Sequence, residues 1–412
     1  MATVRPFAAL RPAARYAERV ISLPYDVMNR REAARLAENN PYSFLHICRS
    51  EIDLPDLSNP YDSDVYLRAK KNLDDSVSAG ILIRDDNPSF YIYRQSMDGR
   101  IQTGIVGCVS VDEYMEGIIK KHEYTRVEKE LDRINHFDIC NANTEPVFLT
   151  YRNNEALGKL IDGWIKGHEP AYDFVSGDGI GHALWVVNDP AVIGSIGRLF
   201  KEIPYLYIAD GHHRSASAAK VSMKRRQASP DYRGDEEFNF FMAVIFPDTD
   251  LHIFDYNRVV NDLKGLTAAD FLESLSGLFE VENMGESSYS PEAKHVFSMY
   301  LEGNWYKLTA KASIITDHAI KGLDVSLLQD YVLGPILGIN DPRTDSRIDF
   351  VGGIRGLEEL KFRVDNGMAA AFALYPVSMD DLLKVADQNE VMPPKSTWFE
   401  PKLGSGLFVH TL

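Results

Sequence analysis

The stretch that decides the fold is Tyr205-Leu-Tyr-Ile-Ala-Asp-Gly-His-His-Arg-Ser-Ala-Ser-Ala-Ala-Lys220. Tyr205–Ala209 is a run of aromatic and apolar strand formers. From Arg214 onward the sequence is helix-forming, with small residues that permit close packing. Asp210 and Gly211 lie between the two, so the segment reads as a strand running into a helix. Downstream, Phe238–Phe246 is the most apolar strand candidate and is expected at a central sheet position. Upstream, strands are expected at 81–84, 90–94, 101–111, 146–150 and His182–Val187, with Asp98-Gly99 as a hairpin turn. Helices are expected over 30–38 (capped by Asn29), 64–79, 153–166 and 190–202. Ser43–Ile47 reads as a strand and 112–135 as one charged helix. The expected class is α/β or α+β, with mixed sheets flanked by helices. After Pro247 the pattern changes, which divides the chain near 250. Residues 1–250 form an α/β domain carrying the site. Residues 251–412 form an α+β domain whose C-terminal loop is a candidate to complete the cleft.

Composition narrows the function. With 412 residues, 45% hydrophobic, the chain has enough apolar material for two domains. Its formal net charge of −16 repels phosphate backbones at long range, so nucleic acid is not the expected partner. Cys48, Cys108 and Cys140 form no Cys-x-x-Cys pair and no disulfide framework. No apolar run follows the N-terminal arginines, and none approaches the ~20 residues of a membrane helix. These features lead to the expectation of a soluble, cytoplasmic chain with no membrane partner. A homodimer is left open.

Asp210-Gly211-His212-His213-Arg214 carries the chemistry. Gly211 permits an unusual torsion or a close backbone approach. If a helix starts at 211–213, its free amides and its dipole favour an anion, typically phosphate. Arg214 would add a bidentate clamp. Asp210 could cap the amides, hold the arginine or coordinate magnesium. His212 and His213 can donate to phosphate or move a proton near neutral pH. Adjacent histidines point in different directions on a helix, which disfavours a two-histidine zinc site. The plain alternative is a capped turn with surface histidines.

Other clusters could join it. Lys120, Lys121, His122, Glu123, Arg126, Lys129 and Arg133 fall together, and on a helix His122/Arg126 and Lys129/Arg133 would share faces. Glu128, Glu130 and Asp132 are interspersed, so a solvated helix laced with ion pairs is the competing reading. Tyr25-Asp26 lies in a turn-rich segment, and His182 reads equally as a cleft residue or a packed one. Pro393-Pro394-Lys395-Ser396-Thr397 sets polar groups between rigid prolines, where Lys395 and Ser396 could meet an anion. Tyr256-Asn257-Arg258 could belong to the same cleft.

Tyr207-Ile-Ala-Asp-Gly-His-His-Arg-Ser-Ala-Ser-Ala218 resembles the signature of the DUF1015 family, which is defined by sequence and has no assigned function. Leu23-Pro-Tyr-Asp-Val27, Lys121-His-Glu-Tyr-Thr125, Lys129 with Asp132-Arg133, His182-Ala-Leu-Trp185, Tyr256-Asn-Arg258, Met392–Phe399 and Pro401–Leu407 extend the resemblance over nearly the whole chain. A more local likeness is to the ParB and sulfiredoxin superfamily, whose phosphate-binding element has the pattern Gly211-x-x-Arg214 at a strand-to-helix junction. It implies a ParB/sulfiredoxin-like element here, with Gly211 as the close-approach glycine and Arg214 as the phosphate clamp. Sulfiredoxins carry a cysteine where this chain has His212, which disfavours sulfinic-acid reduction.

The leading functional reading is binding of a small phosphorylated ligand, a nucleoside di- or triphosphate with Mg2+, and phosphoryl transfer to a small metabolite. Asp210, His212, His213 and Glu123 are its candidate catalytic residues. Gly211, Arg214, His122, Lys129, Arg133, Lys395 and Ser396 would bind the ligand, with Asp210 and Glu123 at the metal. The rivals are a non-enzymatic, ParB-like nucleotide-responsive binding protein and a metal-dependent phosphohydrolase.

Overall fold

Phe241–Phe246 are buried on both faces of their strand, as a continuous apolar run requires. This strand, Phe240–Pro247, lies at the middle of the largest sheet in a computed structural model that describes residues 1–54 and 59–412. By its internal contacts the chain divides into two units. The first is Met1–Leu251 together with Pro401–Leu412, and the second is His252–Glu400.

The first unit holds a nine-stranded mixed sheet. Its order is Ile119–Lys120, Leu206–Asp210, Val147–Tyr151, Phe240–Pro247, Arg100–Ser110, Phe90–Met97, Gly181–Val187 and Tyr172–Val175, and Val4–Arg5 also pairs with Arg100–Ser110. Leu206–Asp210 pairs parallel with Ile119–Lys120 and antiparallel with Val147–Tyr151. Helices Glu155–Gly167, Pro190–Glu202, Val127–Cys140 and His212–Ala228 supply Leu157, Ile196, Phe137 and Val221 to the same core. A separate apolar cluster gathers Tyr25, Phe44, Leu45, Ala69, Leu73 and Val409. Within it the C-terminal segment runs beside the N-terminal one, where Ser22 and Ser405 exchange backbone hydrogen bonds at 3.1 and 2.8 Å. Gly406 is required there: its φ is +91°, and a Cβ would come within 2.6 Å of the Phe44 ring. The last twelve residues therefore belong to the first unit, whereas the sequence reading had assigned them to the second domain.

The second unit contains a six-stranded antiparallel sheet, ordered Phe279–Gly285, Asn304–Ala310, Val296–Leu301, Ala370–Ala373, Tyr256–Val260 and Ile348–Gly352. Leu360 of helix Gly356–Asp365 packs on it with Val259, Tyr300 and Trp305.

The mixed α/β class agrees with the sequence, and most elements fall where expected. Asn29 caps Arg30–Ala37 through a reciprocal bond with Glu32, and Asp98-Gly99 turns the hairpin with both φ angles positive. Two expectations fail. The segment read as strand 43–47 contains helix Leu45–Cys48, because a short apolar run buried all round carries no period to separate the two. The expected helix 112–135 is broken into helix Val111–Met115, strand Ile119–Lys120, an irregular stretch and helix Val127–Cys140. Gly117 at φ +77° ends the first piece, and the sheet edge then captures Ile119 and Lys120. Among the described residues, no helix is long and apolar enough to cross a membrane.

Candidate functional site

Strand Leu206–Asp210 ends at Asp210, Gly211 turns the chain, and helix His212–Ala228 begins at once. Gly211 has φ +99°, a torsion that side chains rarely adopt. Its missing Cβ also leaves room for Arg214, whose Nε would lie 3.0 Å from that atom. The helix start has no side-chain cap. Beyond it, Ser215–Ala219 are all buried, and Ser217 Oγ donates to the Glu130 carbonyl of the neighbouring helix at 3.0 Å. The small residues thus let the two helices approach closely.

Arg214 is not the exposed clamp expected from the sequence. Its side chain is only 2% exposed. Nη1 donates to the Pro146 carbonyl and Nη2 to Asp210 Oδ2 at 3.4 Å, while the buried Nε has no partner. Burial opposes its charge, but Asp210, Asp26 and Glu145 outweigh that and hold its pKa above the usual value. It acts as a buried cation that fixes Asp210.

Asp210 remains partly exposed and has three positive neighbours. Arg214 lies behind it, Lys402 Nζ is 3.7 Å from Oδ2, and the Gly211 amide donates to Oδ1 at 3.0 Å. Burial would raise its pKa, yet Lys402, Arg214 and His212 hold it well below the carboxylate range. Lys402 comes from the C-terminal segment, so the site joins residues far apart in sequence.

Three imidazoles gather beside it. The rings of His122 and His212 meet edge to face with centroids 4.5 Å apart. The His122 amide donates to His212 Nε2 at 3.4 Å, and His212 Nδ1 lies 3.8 Å from Glu123 Oε2. His213 Nε2 accepts from the Arg126 amide at 3.0 Å, so its neutral ring carries the proton on Nδ1. Burial lowers all three pKa values: His122 to about 4, His212 further with help from His122, and His213 against the pull of Asp26 and Glu130. All three shifts favour the neutral imidazole. His122 Nδ1 is buried with no partner.

A buried charge network supports this front. Glu145 accepts from the Tyr25 amide at 3.0 Å and from Ser405 Oγ at 3.1 Å. Arg133 pairs with Glu145 at 3.4 Å and Asp132 at 2.9 Å, and its guanidinium sits 3.9 Å from the Tyr25 ring centre. Arg133 is therefore enclosed by protein partners and presents no fork to a ligand. Burial raises the Glu145 pKa while Arg133 and Arg214 oppose the rise. Asp26 is exposed and acts electrostatically on His213 and Arg214.

The site unites Asp210, Gly211, His212, His213 and Arg214 with His122, Glu123 and Lys129. His122 and Glu123 arrive on an irregular stretch, so the expected helical face of His122 and Arg126 does not form. Lys129 is half-buried and acts on His213 from helix Val127–Cys140. Lys395 and Ser396 belong to the second unit: the Lys395 carbonyl accepts from Arg258 and Ser396 Oγ donates to Pro393. His182 is a packed histidine, bonded to Tyr93 and Ser176. Among the described residues, no three His, Cys, Asp or Glu side chains are placed to hold a metal ion. The sequence reading does not find Glu145; Lys402 and Ser405 lie in the C-terminal stretch it offers to the cleft, without an individual role. The signal for Glu145 was local: Asn143-Thr-Glu-Pro146 is a polar insertion before a strand, and Asn143, Thr144 and Glu145 are all buried.

Residues 4–326 match the family described as "Protein of unknown function (DUF1015)". The chain belongs to the DUF1015 family. No curated protein matches it. This DUF1015 chain also has likenesses among solved structures. A free serine kinase in complex with AMP shares 12% identity over 74% of this chain and 92% of that one, with a TM-score of 0.35. SbnI with a C-terminal truncation from Staphylococcus aureus shares 11% over 74% and 87%, with a TM-score of 0.40. A conserved hypothetical protein from Pyrococcus furiosus shares 13% over 75% and 95%, with a TM-score of 0.34. Likenesses this distant assign neither ligand nor activity to a DUF1015 protein.

Proposed function

We propose that the first unit binds a phosphorylated small molecule, with a nucleoside di- or triphosphate as the leading candidate, and transfers a phosphoryl group to a small metabolite. The observation that carries this reading is the uncapped start of helix His212–Ala228, set beside Lys402, Lys129 and neutral imidazoles. Backbone amides at such a start supply anion binding without a dedicated side chain. Clustered groups with strongly perturbed pKa values are the physical mark of a reacting site.

In this reading the residues take the following roles. The amides of His212 and His213 bind phosphate oxygens, and Lys402, mostly buried beside Asp210, supplies positive charge. His213 donates from Nδ1. An anion bound beside it raises its pKa and so increases the fraction of the ring that is protonated and able to donate. Glu123, which is half exposed, is the candidate base. Asp210 is a poor base because its positive neighbours stabilise its charge, so it orients Lys402 and Arg214. Asp210 and Glu123 are the carboxylates that would hold a magnesium ion, which would supply positive charge to the phosphate group.

Calorimetric titration with Mg-ADP and Mg-ATP tests the reading. Lys402→Met should weaken binding about tenfold or more, the loss of one charge-assisted hydrogen bond. Equal affinity in the wild type and in both Lys402→Met and His213→Gln would sink it, as would no binding by the wild type. One observation favours nucleotide binding without catalysis: burial lowers the pKa of all three imidazoles. Phosphate release or transfer from bound ATP separates the two outcomes.

A further inference from the structure

The second unit has a cavity of about 260 Å³ lined by Arg258, Val325, Gln329, Asn340, Asp341, Pro342, Arg343, Pro393 and Pro394. Arg258 is the unusual member. It lies on strand Tyr256–Val260 and is only 4% exposed. Its guanidinium donates to the main-chain carbonyls of Tyr256, Pro394 and Lys395, the last at 3.0 Å, and pairs with no carboxylate among the described residues. A buried charge without an opposite partner is costly, because carbonyl dipoles replace only part of its lost hydration. Burial accordingly depresses its pKa to about 10. The one carboxylate in the cavity wall, Asp341, is held by Arg343 through two hydrogen bonds of 2.9 Å. The cavity thus keeps one uncompensated positive charge.

We propose that this cavity is a binding site for a small organic carboxylate, with Arg258 as its counter-ion. Three features set the class. The volume lies below the ~300–1,000 Å³ of sites for drug-sized ligands, which suits a small metabolite. The net charge is a single positive one, which matches a monoanion better than a phosphate dianion. The walls are divided: Val325 and three prolines are apolar, Asn340 is an amide, and Gln329, whose Nε2 donates to the Ile339 carbonyl at 2.7 Å, adds a second polar side chain, as a carboxylate on a short apolar body requires.

The surrounding backbone is arranged for the purpose rather than for packing alone. Gln329 opens a wide helical turn over Gln329–Leu333, in which the Gly334 amide reaches back five residues to the Gln329 carbonyl. Such widened turns recur at ligand sites. Lys395 holds φ +58°, a strained value for a side-chain-bearing residue, and its carbonyl is fixed by Arg258. Of loop 393–397, Pro393 and Pro394 line this cavity and the Lys395 carbonyl anchors Arg258.

Saturation-transfer NMR on the full chain tests the proposal, with 4-methylpentanoate as probe and 4-methylpentanamide as its uncharged counterpart. The acid should give a saturable signal and the amide none, and inorganic phosphate should not displace the acid. Val325→Trp fills the cavity without touching Arg258 and should weaken binding about tenfold or more, as should Arg258→Gln. The proposal is overturned by equal signals from acid and amide, by phosphate displacing the acid, by undiminished binding in Val325→Trp, or by no saturation up to about 10 mM acid.

Discussion

Gly211→Ala places a methyl group where the Arg214 guanidinium now lies. Two costs add. Alanine must adopt φ +99°, which costs roughly 1–2 kcal/mol for a residue with a Cβ. The new Cβ also lies 3.0 Å from Nε and 3.2 Å from Cζ of an arginine that has no open path to solvent. Moving the guanidinium breaks its bond to the Pro146 carbonyl or to Asp210, at roughly 1.5–3 kcal/mol for a charge-assisted bond. The expected loss is about 2.5–5 kcal/mol. Gly234→Ala is the internal control: its φ is +98°, but its Cβ would meet nothing closer than the Tyr232 hydroxyl at 3.9 Å. It should lose only the torsional part. Hydrogen exchange through a denaturant series reads the first unit separately, since the two units need not unfold together. If Gly211→Ala loses no more than Gly234→Ala, the guanidinium is not held against Gly211.

The buried imidazoles make the first unit acid-sensitive. His122 has a folded pKa of about 4 against the ordinary 6.5, so between those values the unfolded chain binds the extra proton. Its contribution is fully present above pH ~6.5 and is lost toward pH 4, roughly 3 kcal/mol in all. His212 adds in the same direction, and His122→Gln should flatten the profile measured by urea unfolding at successive pH values. Arg133→Met strands Glu145 and Asp132 without their buried partner and should destabilise by roughly 3–5 kcal/mol; adding Glu145→Gln should recover part of that, and strict additivity would refute the pairing. Asn29→Ala removes the side-chain oxygen that accepts from the Glu32 amide, leaving the backbone bond to Glu32, and should lose about 1 kcal/mol by thermal unfolding, against no change if the cap is idle.

The strand-to-helix junction was legible because its two halves have different residue preferences, β-prone and then helix-forming, and a glycine stands between them. The cap at Asn29 and the hairpin at Asp98-Gly99 were legible for the same reason, since local chemistry dictates them. What was not legible came from long range. Arg214 looks like a ligand clamp in sequence, and only the fold shows Pro146 and Asp210 taking up its donors. Arg133 reads in sequence as a ligand-binding cation or as part of a solvated, ion-paired helix, yet Tyr25, Glu145 and Asp132 enclose it. The segment 112–135 carries helix-forming residues throughout, but pairing of Ile119 with Leu206 overrides local preference. Lys402 and Ser405 reach the site because the C-terminal segment runs back along the N-terminal one, a pairing that no local pattern announces.

The central claim is that the first amides of helix His212–Ala228 hold a phosphate group. The most direct measurement is amide hydrogen exchange at His212 and His213 with and without Mg-ADP. The account predicts that both amides slow by about tenfold or more as the nucleotide saturates, and that Lys402→Met raises the nucleotide concentration required. Unchanged exchange at both amides, with nucleotide shown to be bound elsewhere or not at all, would contradict it.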